Sequence, residues 1–269
     1  MWAARFDMRT AARTGEIHLL VSCKLVPATW AQLHAGVRHV ARLPHLTRLN
    51  LKGCGALTCV AMGLLAHSTA LVSLELSSDT ADAAGARCLA ALTRLTRLAL
   101  RGWRALPSEA LEHLSPLTAL RHLTLDTCPL LDSNAFAHVQ RLTDLRELVV
   151  RFCPLVGDAA FGAFARLRAL RRLWVQGARH VRGGGLAHLA GLPHLYELSL
   201  EQCECLDSGG LAFLERVPSL AWLNLSRCKR IEAADFATLP QLRTLPHLVL
   251  MGLEGSVAEV ARELGFRAL

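Results

Sequence analysis

At 269 residues, 52% hydrophobic, with a formal charge of +8, the chain can bury a large core and is too apolar to remain disordered. No run of about 18 uninterrupted apolar residues occurs, which argues against a transmembrane helix. Arginine carries nearly all of the positive charge, since only Lys24, Lys52 and Lys229 are lysines.

Residues 1–42 lack the pattern that follows them. Ile17 to Val21 reads as a strand and Trp30 to Leu43 as a helix, together an irregular amino-terminal capping unit. Met1 to Arg13 sets Arg5, Arg9 and Arg13 against one acid, Asp7, which suits a short mitochondrial presequence. The acid and the poor serine content favour a structural cap instead.

From 43 to 253 the pattern L-x-x-L-x-L returns, starting at Leu46, Leu71, Leu95, Leu120, Leu145, Leu170, Leu195, Leu220 and Leu245. The step is 25 residues, except for one of 24 between Leu71 and Leu95. Such constancy marks an array of about nine structural repeats. In the copy from Leu120, Leu123 and Leu125 point to one side of a short strand and His122, Thr124 and Asp126 to the other. Phe136, Val139 and Leu142 follow at the spacing of one helical face, and Phe161, Phe164 and Leu167 repeat it. Each copy is thus a strand, a turn and a short helix that cannot bury both apolar faces alone. Stacking predicts an α/β solenoid with a curved, concave parallel sheet, about 40 Å across nine strands, and helices on its convex side. Residues 254–269 read as a carboxy-terminal capping helix, with Ser256 at its start and Val257, Val260 and Leu264 on its apolar stripe.

Cys54, Cys128, Cys153, Cys203 and Cys228 occupy the ninth repeat position, and Leu57, Leu131, Val156, Leu206 and Ile231 follow three residues later. Asp132 and Asp207 come next in two copies. These residues resemble the cysteine-containing subclass of leucine-rich repeats, as in F-box-linked substrate receptors of ubiquitin ligases, and more loosely ribonuclease inhibitor. The resemblance covers about residues 43–253. It implies a leucine-rich repeat solenoid and a protein-binding adaptor, with substrate recruitment to a ubiquitin ligase as its most specific form. Leu20 to Leu33 only faintly matches the end of an F-box, and the same stretch must cap the array.

One cysteine per repeat and an odd total of nine point to structural thiols in a reducing compartment, hence a cytoplasmic protein. Trp103 replaces the ninth-position cysteine of its repeat and reads as structural. Several short motifs suggest chemistry that their repeat positions argue against. Asp207-Ser208-Gly209-Gly210 looks like the surroundings of a serine nucleophile, but aligns with Asp132-Ser133, where the chain enters a helix and a carboxylate caps free N–H groups. Cys203-Glu204-Cys205 lacks a second pair at metal spacing. Arg182-Gly183-Gly184-Gly185 lacks the lysine and hydroxyl of a phosphate loop and predicts a loosened helix. No enzyme activity, cofactor or metal is expected.

The third, fifth and seventh residues of each strand face away from the core, and the scaffold requires no tryptophan there. Trp174 and Trp222 nevertheless fall on that face two repeats apart, about 10 Å by strand spacing. Arg151, Arg172, Glu197 and Asn224 lie around them. Aromatic and arginine anchors inside a polar rim are the composition of an interface hot spot. The expected partner is another protein. Nucleic acid is the lesser alternative, because the arginines read as scattered over strand, turn and helix positions. An RNA-associated, organellar or axonemal assembly factor would share this pattern.

Overall fold

A computed structural model of the chain describes residues 4–6, 17–21, 30–54, 57–232, 235–236 and 239–252. The chain packs into two compact units, Met1–Leu130 and Leu131–Leu269. The predicted carboxy-terminal cap and most of the presequence segment lie outside the described residues.

The first unit begins with β1 (Ala4–Phe6) antiparallel to β2 (Ile17–Val21), an initial hairpin that the sequence pattern does not announce. A helix, Trp30–Ala41, leads to β3 (Leu46–Leu51), which pairs with β2 in parallel across a register shift at Ile17/His18. Then β4 (Ser73–Ser77), β5 (Arg97–Arg101) and β6 (His122–Asp126) add in parallel and in repeat phase, Leu74 beside Leu98 and Leu98 beside Leu123. Helices Cys59–Leu65 and Ala83–Leu89 and the 3-10 helix Ser108–Leu114 connect the strands. Leu49, Leu74, Leu98 and Leu123 are at most 2% exposed. Each fully buried leucine contributes about 1.5–3 kcal/mol of transfer free energy.

The second unit repeats the scheme with β7 (Glu147–Arg151), β8 (Arg172–Gln176), β9 (Glu197–Ser199), β10 (Trp222–Asn224) and β11 (His247–Val249). All pair in parallel, with Leu148, Leu173, Leu198, Leu223 and Leu248 forming one buried row. Its helices are short, among them the α-helices Phe136–Val139, Ala160–Phe164, Ser208–Leu211 and Pro240–Arg243 and the 3-10 helix Gly184–Gly191. In that last segment Leu186 and Leu189 are three residues apart, the 3-10 period, which stacks them on one buried side. Phe164 meets Phe136 and Phe161 edge to face at 5.0 and 5.4 Å between ring centres.

A hydrogen bond to the neighbouring repeat closes the turn after most of the strands. The eighth residue donates its N–H to the seventh carbonyl of the next copy, as Gly102 does to Asp126 and Gln202 to Ser226. The donors Gly102, Phe152, Gly177, Gln202 and Arg227 all sit at positive φ, as do Gly53 and Thr127 at the same repeat position. The next residue then dives into the core, where Cys128, Cys153, Cys203 and Cys228 are fully buried. Their thiols donate to backbone carbonyls, Cys203 to Val175 at 3.2 Å and Cys228 to Leu200 at 3.1 Å. Burial pushes the Cys228 thiol up to about 12 and the Cys203 thiol up as well.

The single 24-residue step has a local cause. Ser78 donates its N–H to Arg101, as an eighth residue does, yet it is 1% exposed, as a ninth residue is, and its hydroxyl donates to Leu57 O. One residue fills both positions, so the repeat is one residue shorter. Trp103 is fully buried in its cysteine position, and Gly85, opposite it, leaves room for the ring.

Asp132 and Asp207 cap their helices as expected, and Thr58 and Asp82 do the same in the first unit. Gly210, in the serine-protease-like stretch, packs its backbone against Gly183 of the preceding copy. The glycine-rich Arg182–Gly184 stretch has its own anion: Asp158 accepts the N–H groups of Arg182, Gly183 and Gly184, each at 3.1 Å. Among the described residues, no helix is long and apolar enough to cross a membrane.

Candidate partner-binding face

In the second unit, strand alternation turns positions four and six inward and leaves three, five and seven on one polar face. Register aligns these into rows. The third-position row runs Glu147, Arg172, Glu197, Trp222, His247. The fifth-position row runs Val149, Trp174, Ser199, Asn224, Val249.

The third row alternates charge and locks itself. Arg172 reaches Glu147 through Nη1 at 3.2 Å and Glu197 through Nε at 3.1 Å. Its Nε also donates to the Tyr196 hydroxyl at 2.6 Å, and the guanidinium lies 5.7 Å from that ring centre. The Tyr196 hydroxyl, with help from Glu197 and Glu147, holds the Arg172 pKa above its ordinary value. Tyr196 is the only tyrosine of the chain and stands at the second repeat position, where three other copies carry arginine. Sequence reasoning passed over it because only positions three, five and seven were read as the exposed face.

Trp174 is half-buried and fixed from two sides. Its indole Nε1 donates to Glu197 Oε1 at 2.8 Å, and the Arg151 guanidinium sits 5.0 Å from the ring centre. That geometry is a cation–π contact. Arg151 Nε is buried with no hydrogen-bond partner. Trp222 is half-buried beside Glu197, and its indole N–H makes no hydrogen bond among the described residues.

Glu197 thus joins Arg172 and Trp174, with Trp222 next to it in register. The two tryptophans stand on different rows, so their offset is two strands across and two residues along, about 12 Å rather than the 10 Å of strand spacing alone. Asn224 belongs to the face but is 9% exposed. Its amide is used by Glu201 at 3.4 Å and by the Ser226 N–H at 2.9 Å. Gln176 and Ser199 are likewise buried and bonded to each other at 2.8 Å. The reachable surface is therefore Arg151, Arg172, Trp174, Trp222 and the carboxylate edge of Glu197.

No family model matches the chain, and no curated protein sequence does. Solved structures do match. An internalin (inlF) from Listeria monocytogenes shares 21% identity with a TM-score of 0.61, covering 86% of this chain and 62% of that one. The fold is a leucine-rich repeat. A chain of the yeast Rad7 and Elc1 complex shares 20% identity at a TM-score of 0.53, covering 86% of this chain and 70% of that one. A chain of the TLR13–ssRNA13 complex shares 20% at 0.54, covering 77% of this chain and 32% of that one. This leucine-rich repeat chain therefore spans under two thirds of the internalin's length and a third of the TLR13 chain's. At such identity the likeness concerns the fold, and what the strand face does follows from its own residues.

Proposed function

We propose that the chain is a non-catalytic adaptor that holds a partner protein on the strand face of its second unit. One observation carries this: Trp174, fixed by Glu197 and Arg151, and Trp222 share a polar strand face whose fold requires neither. Trp174 is oriented by Glu197 and Arg151 before any partner arrives, which lowers the ordering cost of binding. Trp222 keeps an unused N–H donor beside it. Rigid aromatics with a nearby arginine and a surrounding polar rim are the usual anchors of a protein interface.

Within this reading, substrate recruitment to a ubiquitin ligase is the finer assignment, supported by the cysteine-containing repeat pattern, and the reduced thiols suit the cytoplasm. The solved Rad7–Elc1 complex is a protein–protein assembly on the same fold. An RNA-associated, organellar or axonemal assembly role is the alternative, supported by the charge of +8 and by the TLR13–ssRNA13 complex.

Affinity purification of the tagged chain, paired with Trp174→Ala/Trp222→Ala, tests the reading. The double variant keeps its far-ultraviolet circular dichroism and loses the main protein partner by a factor of ten or more, since hot-spot truncation costs about 2 kcal/mol or more. Recovery of a cullin supports the ligase assignment, whereas ribosomal or axonemal proteins support the alternative. Undiminished capture by the double variant would move the site off this face.

A further inference from the structure

We propose that the edge of the first unit where strands β3 to β6 begin is a docking track for an acidic segment of a partner protein. The four junctions entering these strands, residues 42–48, 66–73, 90–97 and 115–122, contain Arg42, Arg48, Arg94, Arg97 and Arg121 and no aspartate or glutamate. All five arginines are exposed, and none makes a side-chain hydrogen bond or ion pair among the described residues.

The other end of the same strands behaves differently. There Arg101 lies between Glu75 at 2.8 Å and Asp126 at 2.7 Å, and Asn50 also bonds Glu75. At that edge Arg101 is neutralised by two carboxylates and, among the described residues, only Lys52 stands open, against five open arginines at the other.

Register turns the open charges into a track. Arg48, Ser73, Arg97 and His122 are neighbours in one row, which places Arg48 and Arg97 about 10 Å apart. Arg42, Arg94 and Arg121 flank that row from the turns.

Helix dipoles account for only part of this charge. The helices ending at Ala41, Leu65, Leu89 and Leu114 precede these junctions. Each carboxyl end carries about half a negative charge, about two in all, against five guanidinium groups. The excess repels itself unless an external anion meets it.

The chemistry favours carboxylates. Arginine's planar fork binds a carboxylate through two parallel hydrogen bonds. Single-stranded nucleic acid is held by aromatic side chains between the cations, and these junctions contain no Phe, Tyr or Trp. A membrane surface takes an apolar wedge as well as charge, and no exposed large hydrophobic residue lies in them.

This track lies in the first unit and does not depend on the tryptophan face. Fluorescence anisotropy on the full chain tests it, with a short labelled oligoglutamate peptide and a labelled oligouridylate of matched length, at low and at physiological ionic strength. Oligoglutamate binds, and Arg48→Glu/Arg97→Glu weakens it by about tenfold or more through lost and reversed charge. Arg94→Glu/Arg121→Glu does the same, while Arg87→Glu/Arg104→Glu, equal in charge but off the track, changes it by less than about twofold. Equal losses from track and off-track variants would reduce the effect to net charge and overturn the proposal. So would tighter binding of oligouridylate, or no binding of oligoglutamate at low ionic strength.

Discussion

Replacing Asp158 by alanine removes the acceptor on which three successive backbone N–H groups converge. Oδ1 takes those of Arg182 and Gly183, and Oδ2 takes that of Gly184. All three sit at the start of the 3-10 helix Gly184–Gly191, where first-turn donors have no partner within the helix. Arg182 and Gly184 are exposed, so water takes their donors over at a cost of a few tenths of a kcal/mol each. Gly183 is buried, so its N–H loses a charge-assisted bond worth about 1.5–3 kcal/mol and is left dry. The expected total is about 2–3 kcal/mol, a large share of the 5–15 kcal/mol that holds a typical domain. Asp158→Asn keeps one oxygen and loses about half as much. Urea unfolding followed by far-ultraviolet circular dichroism reads this as a lower midpoint at unchanged slope. A loss below about 0.5 kcal/mol for Asp158→Ala, the noise of a surface substitution, would show that water serves the three donors equally well and refute the capping argument.

Two further predictions concern the packing between copies and the buried thiols. A β-carbon on Gly183, whose φ is +119°, would lie 2.5 Å from the Gly210 α-carbon, so Gly183→Ala must separate two backbones and should cost more than about 3 kcal/mol. Gly184→Ala meets nothing nearer than Asp158 Oδ2 at 3.5 Å and should stay within about 1 kcal/mol of the parent, a contrast readable in the same urea titration. Cys203 and Cys228 have raised folded-state pKa values, so the unfolded chain sheds these protons first. Their contribution is whole below pH 9 and falls as the pH rises towards 12, by up to about 1.4 kcal/mol per pH unit for each thiol. Unfolding midpoints of the parent and of Cys203→Ala/Cys228→Ala, measured at neutral and at alkaline pH, should converge as the pH rises. A constant gap would remove the thiols from the alkaline response.

The leucine phase was legible because one residue type recurs at one interval, and every copy must bury it. The bond that closes most of the turns was not, because its acceptor is a carbonyl of the next copy and any side chain can ride above it. Phe152 and Arg227 adopt the same positive φ as Gly102 without sharing any letter with it. Ser78 shows the converse, since a missing residue looked like a slip in spacing until its N–H bond and its burial gave it two positions at once. Asp158 was hidden for a related reason: it caps a helix 24 to 26 residues downstream, beyond the range in which capping signals are read.

The strand face was partly legible. Alternation put Trp174 and Trp222 on it, and their separation of 48 residues, two short of two periods, sets them on different rows. What spacing does not tell is that Glu197 bonds the Trp174 indole while Asn224 is buried. The arginines posed the opposite difficulty. Along the chain Arg42, Arg48, Arg94, Arg97 and Arg121 look scattered, because acids such as Glu75, Asp79, Glu109 and Glu112 fall between them. Folding at a near-constant repeat superposes positions one period apart, so charges distant in sequence become neighbours along one edge. In a repeat protein, the unit in which charge clustering has meaning is therefore the repeat position, and a surface is read by stacking the copies before counting.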